Sequence, residues 1–290
     1  MAVLAKLAYA AGLDVVSLLA LRFALAAAVL WTLVRFRRTQ IRRRPLLLGL
    51  ALGAAGYAVE AGLFFAALER LDAGLASLLL YAYPAFVTVG ALALGRERPT
   101  GRRWFALAVA SGGVVLVLGG GGSGADPVGV ALALGAGIGY AAYILGTDSV
   151  VRTVDPLAFA ASVCTGACLT FVAAGAVRGG LDLGFGAEGW LWLVTIALLS
   201  TVVPIAAFAA GVVRVGPSRA SILSTVEPPF TVVLAVLVFG ESLGPLQLLG
   251  GAFVLAGAVM VVERPVQRSG RSEVQAREPV EDRVLAAHDR

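Results

Sequence analysis

The stretch from Leu71 to about Leu118 is written twice in this chain. LDAGLASLLLYAYPAFVTVGALALGRERPTGRRWFALAVASGGVVLVL returns in looser form from Val215 as VGPSRASILSTVEPPFTVVLAVLVFGESLGPLQLLGGAFVLAGAVMVV. A constant offset of 144 residues pairs Ala76 with Ala220, Ser77 with Ser221, Pro84 with Pro228, Phe86 with Phe230, Glu97 with Glu241 and Gly113 with Gly257. Each copy has a small-residue start, an apolar run interrupted by proline, a short turn carrying Glu, and a second apolar run. That is two helices and a tight connection. The offset is close to half of the 290 residues, so the repetition concerns the whole fold.

Composition says where such a fold lives. Hydrophobic residues make up 59% of the chain, charged ones 14%, and the mean hydropathy is +0.89. Soluble domains carry about 25% charge, and apolar runs of roughly twenty residues are long enough to cross ~30 Å of hydrocarbon. The expectation is an all-α polytopic membrane protein. Spans are expected near 15–35, 46–68, 73–94, 101–119, 127–147, 156–177, 188–212, 217–239 and 244–262, after a shorter apolar piece at 1–12.

Charge placement orients them. Arg35, Arg37, Arg38, Arg42, Arg43 and Arg44 form one cluster, and Arg96, Arg98, Arg102 and Arg103 another, two spans later. Arg-rich loops stay on the cytoplasmic side. Continuing the count puts Arg152, Arg214, Arg219 and both termini there too, in an inner membrane, and leaves Arg70 and Arg178 outside. The net charge of +5 is therefore a topology signal and not a nucleic-acid one. No cleavable signal peptide is expected in Met1–Ala11.

Each half holds an odd number of spans, so the second enters the membrane upside down. Residues 1–119 form the first repeat, 127–263 the second, and 264–290 a disordered cytoplasmic tail. Inverted repeats are typical of secondary transporters, with the site near mid-membrane between the halves. The joint, GGGGSGAD at Gly119–Asp126, lacks the strand and Lys of a phosphate cradle and reads as a flexible link.

Candidate site residues are those that hydrocarbon tolerates poorly. Pro84 and Pro228 sit mid-span at equivalent places and, with Pro204, should bend their helices. Glu227 precedes Pro228, and its repeat partner is Tyr83. Glu60 lies in the centre of its span, where the repeat partner is Pro204. An intramembrane carboxylate costs about 3 kcal/mol on insertion scales. Glu60 and Glu227 are therefore candidates for substrate contact or proton coupling, with a structural role open for each. Arg22 is the natural counter-charge to Glu60, as a structural pair or as a substrate clamp. Tyr57, Tyr83 and Tyr140, with Trp31, Tyr81, Tyr143, Ser200, Thr201 and Ser224, could line a site for a small amphipathic solute, though each alone fits ordinary packing. Gly49/Gly53 and Gly135/Gly139 have the spacing that lets helices approach closely. Cys164 and Cys168 read as packing residues. The lone histidine, His288, falls in the tail. No metal site, cofactor or hydrolytic chemistry is expected, and the chain is not expected to be an enzyme.

The copies ASLLLYAYPAFVTVGALALGRE and ASILSTVEPPFTVVLAVLVFGE, with LRF at Leu21–Phe23, resemble the paired EamA repeats of the drug/metabolite transporter superfamily. The resemblance runs from Leu4 to about Glu263. It implies ten helices in two inverted repeats, a central cavity walled by the first four helices of each half, and a fifth helix of each half packed away from it. It also implies movement of small metabolites, amino acids or drugs, often outward. Glu227-Pro228 and the Glu-bearing turns look like family features; Glu60 does not. A lipid or lipid-linked sugar flippase of the same fold is the alternative. The expected partners are a small-molecule substrate and the lipid bilayer, with no nucleic acid; a homodimer stays open. Asp14 precedes its span as Asp155 precedes the next copy's, and aligning them leaves the first helix about fourteen residues short. An upstream start is the expectation that follows.

Overall fold

Three aspartates set the starts of three long helices. Asp14 accepts the backbone N–H of Val16 and Ser17 at 2.9 and 3.1 Å, Asp155 those of Leu157 and Ala158 at 3.0 Å each, and Asp126 that of Val128 at 2.9 Å. These are N-caps, which supply acceptors to the N–H groups a helix start leaves unbonded. Proline opens three helices as well, at Pro127, Pro156 and Pro245, where its missing N–H costs nothing. The expected equivalence of Asp14 and Asp155 is thus a shared capping role.

The computed structural model describes residues 1–38, 43–96, 98, 100–120, 125–151, 154–207 and 226–262. Glu97, Ser224, the arginines at 42, 152, 214 and 219, most of the glycine joint and the tail lie outside the described residues. The helices are α1 Ala2–Ala10, α2 Val15–Phe36, α3 Arg43–Leu52, α4 Ala58–Leu68, α5 Ala73–Leu80, α6 Tyr83–Ala93, α7 Gly101–Gly120, α8 Pro127–Val151, α9 Pro156–Val177, α10 Ala187–Ala197, α11 Glu227–Phe239 and α12 Pro245–Val262. Among the described residues seven spans are long and apolar enough to cross a membrane, α11 and α12 are shorter apolar helices, and α1 has 9 residues. This is the all-α polytopic fold the hydropathy called for, with about ten transmembrane elements and a short first one.

Two features depart from simple spans. The bent helix expected at 73–94 is instead broken, into α5 and α6 with a turn at Tyr81–Ala82. Pro84 is the second residue of α6; its ring excludes the carbonyl four residues earlier and its nitrogen gives no hydrogen bond, so the helix restarts rather than bends. Pro228 likewise stands second in α11. The other departure is a wide, π-helical turn in the third span of each half, at Gly53–Tyr57 between α3 and α4 and at Leu198–Val202 after α10. A carbonyl at each accepts a side-chain hydroxyl: Thr170 donates to Ala54 O at 3.0 Å and Thr201 to Ile196 O at 3.3 Å. Pro204 follows the second wide turn by two residues and is exposed.

Helix pairing is reciprocal between the halves. α2 packs on α9, and α7 on α12; α4 packs on α8 while α1 packs on α10; α5 packs on α11. Second, fourth and fifth helices thus meet their own counterparts, and the third of each half meets the first of the other, as a two-fold relation demands. Glycine makes the closest seams. A Cβ on Gly53 would stand 2.1 Å from Val163 O, and one on Gly113 2.6 Å from Val254 N. Gly49 also abuts α9, and Gly139 lies against α4, so both small-xxx-small pairs serve helix approach. The repeat partners Gly113 and Gly257 both sit in the α7–α12 seam.

Candidate functional site

The break in the fourth span determines what meets at the middle of the bundle. Tyr81 lies in the turn and Tyr83 starts α6; across from them Glu227 is the first residue of α11. The Tyr81 hydroxyl donates to Glu227 Oε2 at 2.9 Å, a bond between the two halves. From there aromatic rings run in continuous contact through the protein. Tyr81 meets Tyr83 at 5.7 Å between centroids, Tyr83 meets Tyr140 at 4.7 Å, and Tyr140 stacks on Tyr143 at 6.1 Å. Tyr143 then meets Tyr57 at 5.4 Å, and Tyr57 meets Phe23 at 5.6 Å. Edge-to-face and offset pairs at such spacing are favourable.

Arg22 stands at the far end of this run. Its guanidinium carbon is 4.8 Å from the Phe23 centroid and 5.2 Å from that of Phe65. The side chain is only 1% exposed. Nε donates to Thr201 Oγ1 at 2.9 Å, so the wide turn of the second half holds one edge of the group. Tyr9, on α1, donates to the carbonyl of Phe65 at 2.9 Å. All six tyrosines of the chain therefore take part in this run or in the contacts around Arg22.

Glu60 lies in the first turn of α4, three residues beyond Tyr57 and on the same face. It is 6% exposed. Arg22 and Glu227 both act on it electrostatically. Yet no ion pair joins Arg22 to Glu60 among the described residues, so the structural pair left open by the sequence is not formed. Gly139 lets α8 approach: a Cβ there would stand 3.6 Å from Glu60 Cα.

The structure thus brings Glu60, Arg22, Tyr57, Tyr83, Tyr140 and Glu227 into one neighbourhood, with Pro84 and Pro228 buried at the restarts of α6 and α11. Trp31 lies apart from it, donating to Thr165 Oγ1 at 3.0 Å. Phe23, Phe65 and Tyr9 escape sequence reading because nothing in their spacing separates them from ordinary packing. So does a polar latch between the halves. Glu241 accepts the N–H groups of Ala73 and Gly74 at 2.8 and 3.0 Å, capping α5, and takes Lys6 Nζ at 3.3 Å; Lys6 lies 3.9 Å from Asp72. Lys6 being the only lysine was the one signal that could have marked it. Span alternation puts this latch, and the Arg70–Asp126 pair at 2.8 Å, on the side away from the Arg-rich loops.

Comparison with known proteins agrees with this architecture. The threonine/homoserine exporter RhtA of Escherichia coli (strain K12) is 32% identical over 263 residues, covering 84% of this chain and 82% of that protein. RhtA of Salmonella typhimurium (strain LT2) is 31% identical over 266 residues, covering 86% and 83%. An uncharacterised transporter of Bacillus subtilis, YcbK, is 26% identical over 272 residues, covering 87% and 86%. One solved crystal structure superposes with a TM-score of 0.63 at 19% identity, over 89% of this chain and 92% of that one, and shares the fold. The profile of the EamA-like transporter family matches residues 1–119 and 127–263. The chain belongs to the EamA-like transporter family: it is a multi-pass membrane transporter and not an enzyme.

Proposed function

We propose that the chain exports small polar amino acids of the threonine and homoserine class from the cytoplasm, by alternating access between its two halves. The observation that carries this is the Tyr81–Glu227 hydrogen bond at the broken fourth span, since it joins polar groups of both halves where the aromatic run begins. Polar groups so placed, at the repeat interface and beside interrupted helices, are where secondary transporters bind their cargo. The relatives named as threonine/homoserine exporters support the substrate class. The arginine bias of the loops supports an inner membrane with both termini in the cytoplasm. In this reading 1–119 and 127–263 are the two moving repeats, and Glu60, Glu227, Arg22, Tyr57, Tyr83 and Tyr140 face the solute.

Counterflow in proteoliposomes tests the substrate class. Vesicles loaded with unlabelled threonine or homoserine should accumulate radiolabelled threonine transiently. Deleting the gene should lower the threonine and homoserine concentrations that the cells tolerate. Counterflow with no amino acid at all would overturn the reading.

A further inference from the structure

We propose that Arg22 and Glu60 form a zwitterion clamp, in which the guanidinium takes the α-carboxylate and Glu60 the α-ammonium of one substrate molecule. The inference rests on the amino-acid export reading and deepens it.

Arg22 has an unmet need. One edge is used, by Nε on Thr201 Oγ1 at 2.9 Å, but Nη1 is buried and has no hydrogen-bond partner among the described residues. An arginine does not lose its proton in a protein, so the charge persists, and an unbonded charged N–H in a dry interior is costly. The rings of Phe23 and Phe65 offset part of that cost and supply no acceptor.

Glu60 is the complementary case. It is nearly as buried, and no hydrogen bond or ion pair reaches it among the described residues. Had the two side chains been meant for each other, a direct bridge would have satisfied both. They are held apart instead. Thr201, in the wide turn of the second half, fixes the guanidinium, while α8 closes on Glu60 through Gly139. Tyr57 and Phe23, whose rings touch at 5.6 Å, stand beside the two charges: Phe23 follows Arg22, and Tyr57 shares a face with Glu60. A molecule carrying both charges on one carbon offsets both desolvation costs at once; a simple anion or cation relieves one and leaves the other uncompensated. The arrangement therefore selects for α-amino acids over amines and over hydroxy acids of the same shape.

Displacement of radiolabelled threonine from the purified, detergent-solubilised protein tests this. The competitors are threonine, threoninamide, which lacks the carboxylate, and 2,3-dihydroxybutanoate, which lacks the ammonium. Both single-charge analogues should compete at least about 30-fold more weakly than threonine. Glu60→Gln should narrow the gap for 2,3-dihydroxybutanoate alone, and Arg22→Gln the gap for threoninamide alone. General damage to the fold would not produce that crossed pattern. If either analogue displaces threonine as well as threonine itself, the clamp is wrong while the export reading stands. If threonine neither binds the wild-type protein nor shows counterflow, both fall. Should the variants fail to fold, the wild-type comparison still decides.

Discussion

A carboxylate at a helix start acts through a handful of backbone groups, which is why its effect can be isolated. Asp14→Ala and Asp155→Ala should each lower stability by about 1 kcal/mol, the usual worth of an N-cap. The two cap different helices and share no partner, so the double variant should lose the sum; denaturation in mild detergent measures all three. Asp14 also carries a pH signature. Burial pulls its carboxyl upward, but bonds from the Ser17 hydroxyl and from the backbone of Ser17 and Val16, with the Arg178 charge, outweigh this and hold it below the ordinary value. A carboxylate depressed in the folded state stabilises above its unfolded value of about 4, and the contribution is lost as pH falls through the lower folded value. Asp14→Asn should therefore cost stability at neutral pH and flatten that acid-side loss. The Asp14–Asp155 equivalence was legible in the sequence because capping is local chemistry. Lys6 and Glu241 were not, since they meet across 235 positions and only tertiary structure joins them.

For whole helices, spacing carried some information and missed the rest. Proline at 84 and 228 announced an interruption, although sequence suggested a bend and the fourth span is cut into two helices. The wide turns at Gly53–Tyr57 and Leu198–Val202 left no trace, because inserting one residue into a helical turn does not disturb an apolar run. Neighbouring glycines are also indistinguishable on paper. A Cβ on Gly113 would press to 2.6 Å against the α12 backbone, whereas one on Gly112 would meet nothing within 4 Å. Gly113→Ala should destabilise by roughly 1–3 kcal/mol as α7 and α12 are forced apart. Gly112→Ala should be neutral or stabilise by up to about 1 kcal/mol through helix propensity. Thermal unfolding of the two variants compares them directly; equal effects would refute the seam.

At the scale of the molecule, the alternating access proposed above divides the reciprocally paired helices into seams that part and one that need not. The latch of Lys6, Glu241 and the start of α5 ties the halves on one face, and in the proposed cycle passage toward that face opens it. The α7–α12 seam lies outside the polar centre. In a Cys164→Ala, Cys168→Ala background, joining Lys6→Cys to Glu241→Cys with a reducible bifunctional thiol reagent should abolish counterflow, and reduction should restore it. Joining Gly119→Cys to Leu246→Cys, where a Cβ at 119 comes within 3.9 Å of Leu246, should leave counterflow intact. Loss of activity from both pairs would argue against a fixed fifth-helix seam. The repeat made this architecture legible from sequence, while the pairing of a third helix with the first helix of the other half was not, because offset says nothing about neighbours.

The position equivalent to Tyr83 holds Glu227, and that equivalent to Glu60 holds Pro204. Arg22 and Tyr57 belong to the leading half, whereas Tyr140, Tyr143, Thr201 and Glu227 come from the trailing one. Two leading halves assembled as a pair would set tyrosine where the acid belongs, and two trailing halves would have neither Arg22 nor Glu60. The two halves are thus unlike partners on a single thread, sharing one scaffold but not the same side chains at the centre. Severed at the glycine joint and produced as separate polypeptides, the pieces should restore threonine tolerance to deficient cells only when both are present.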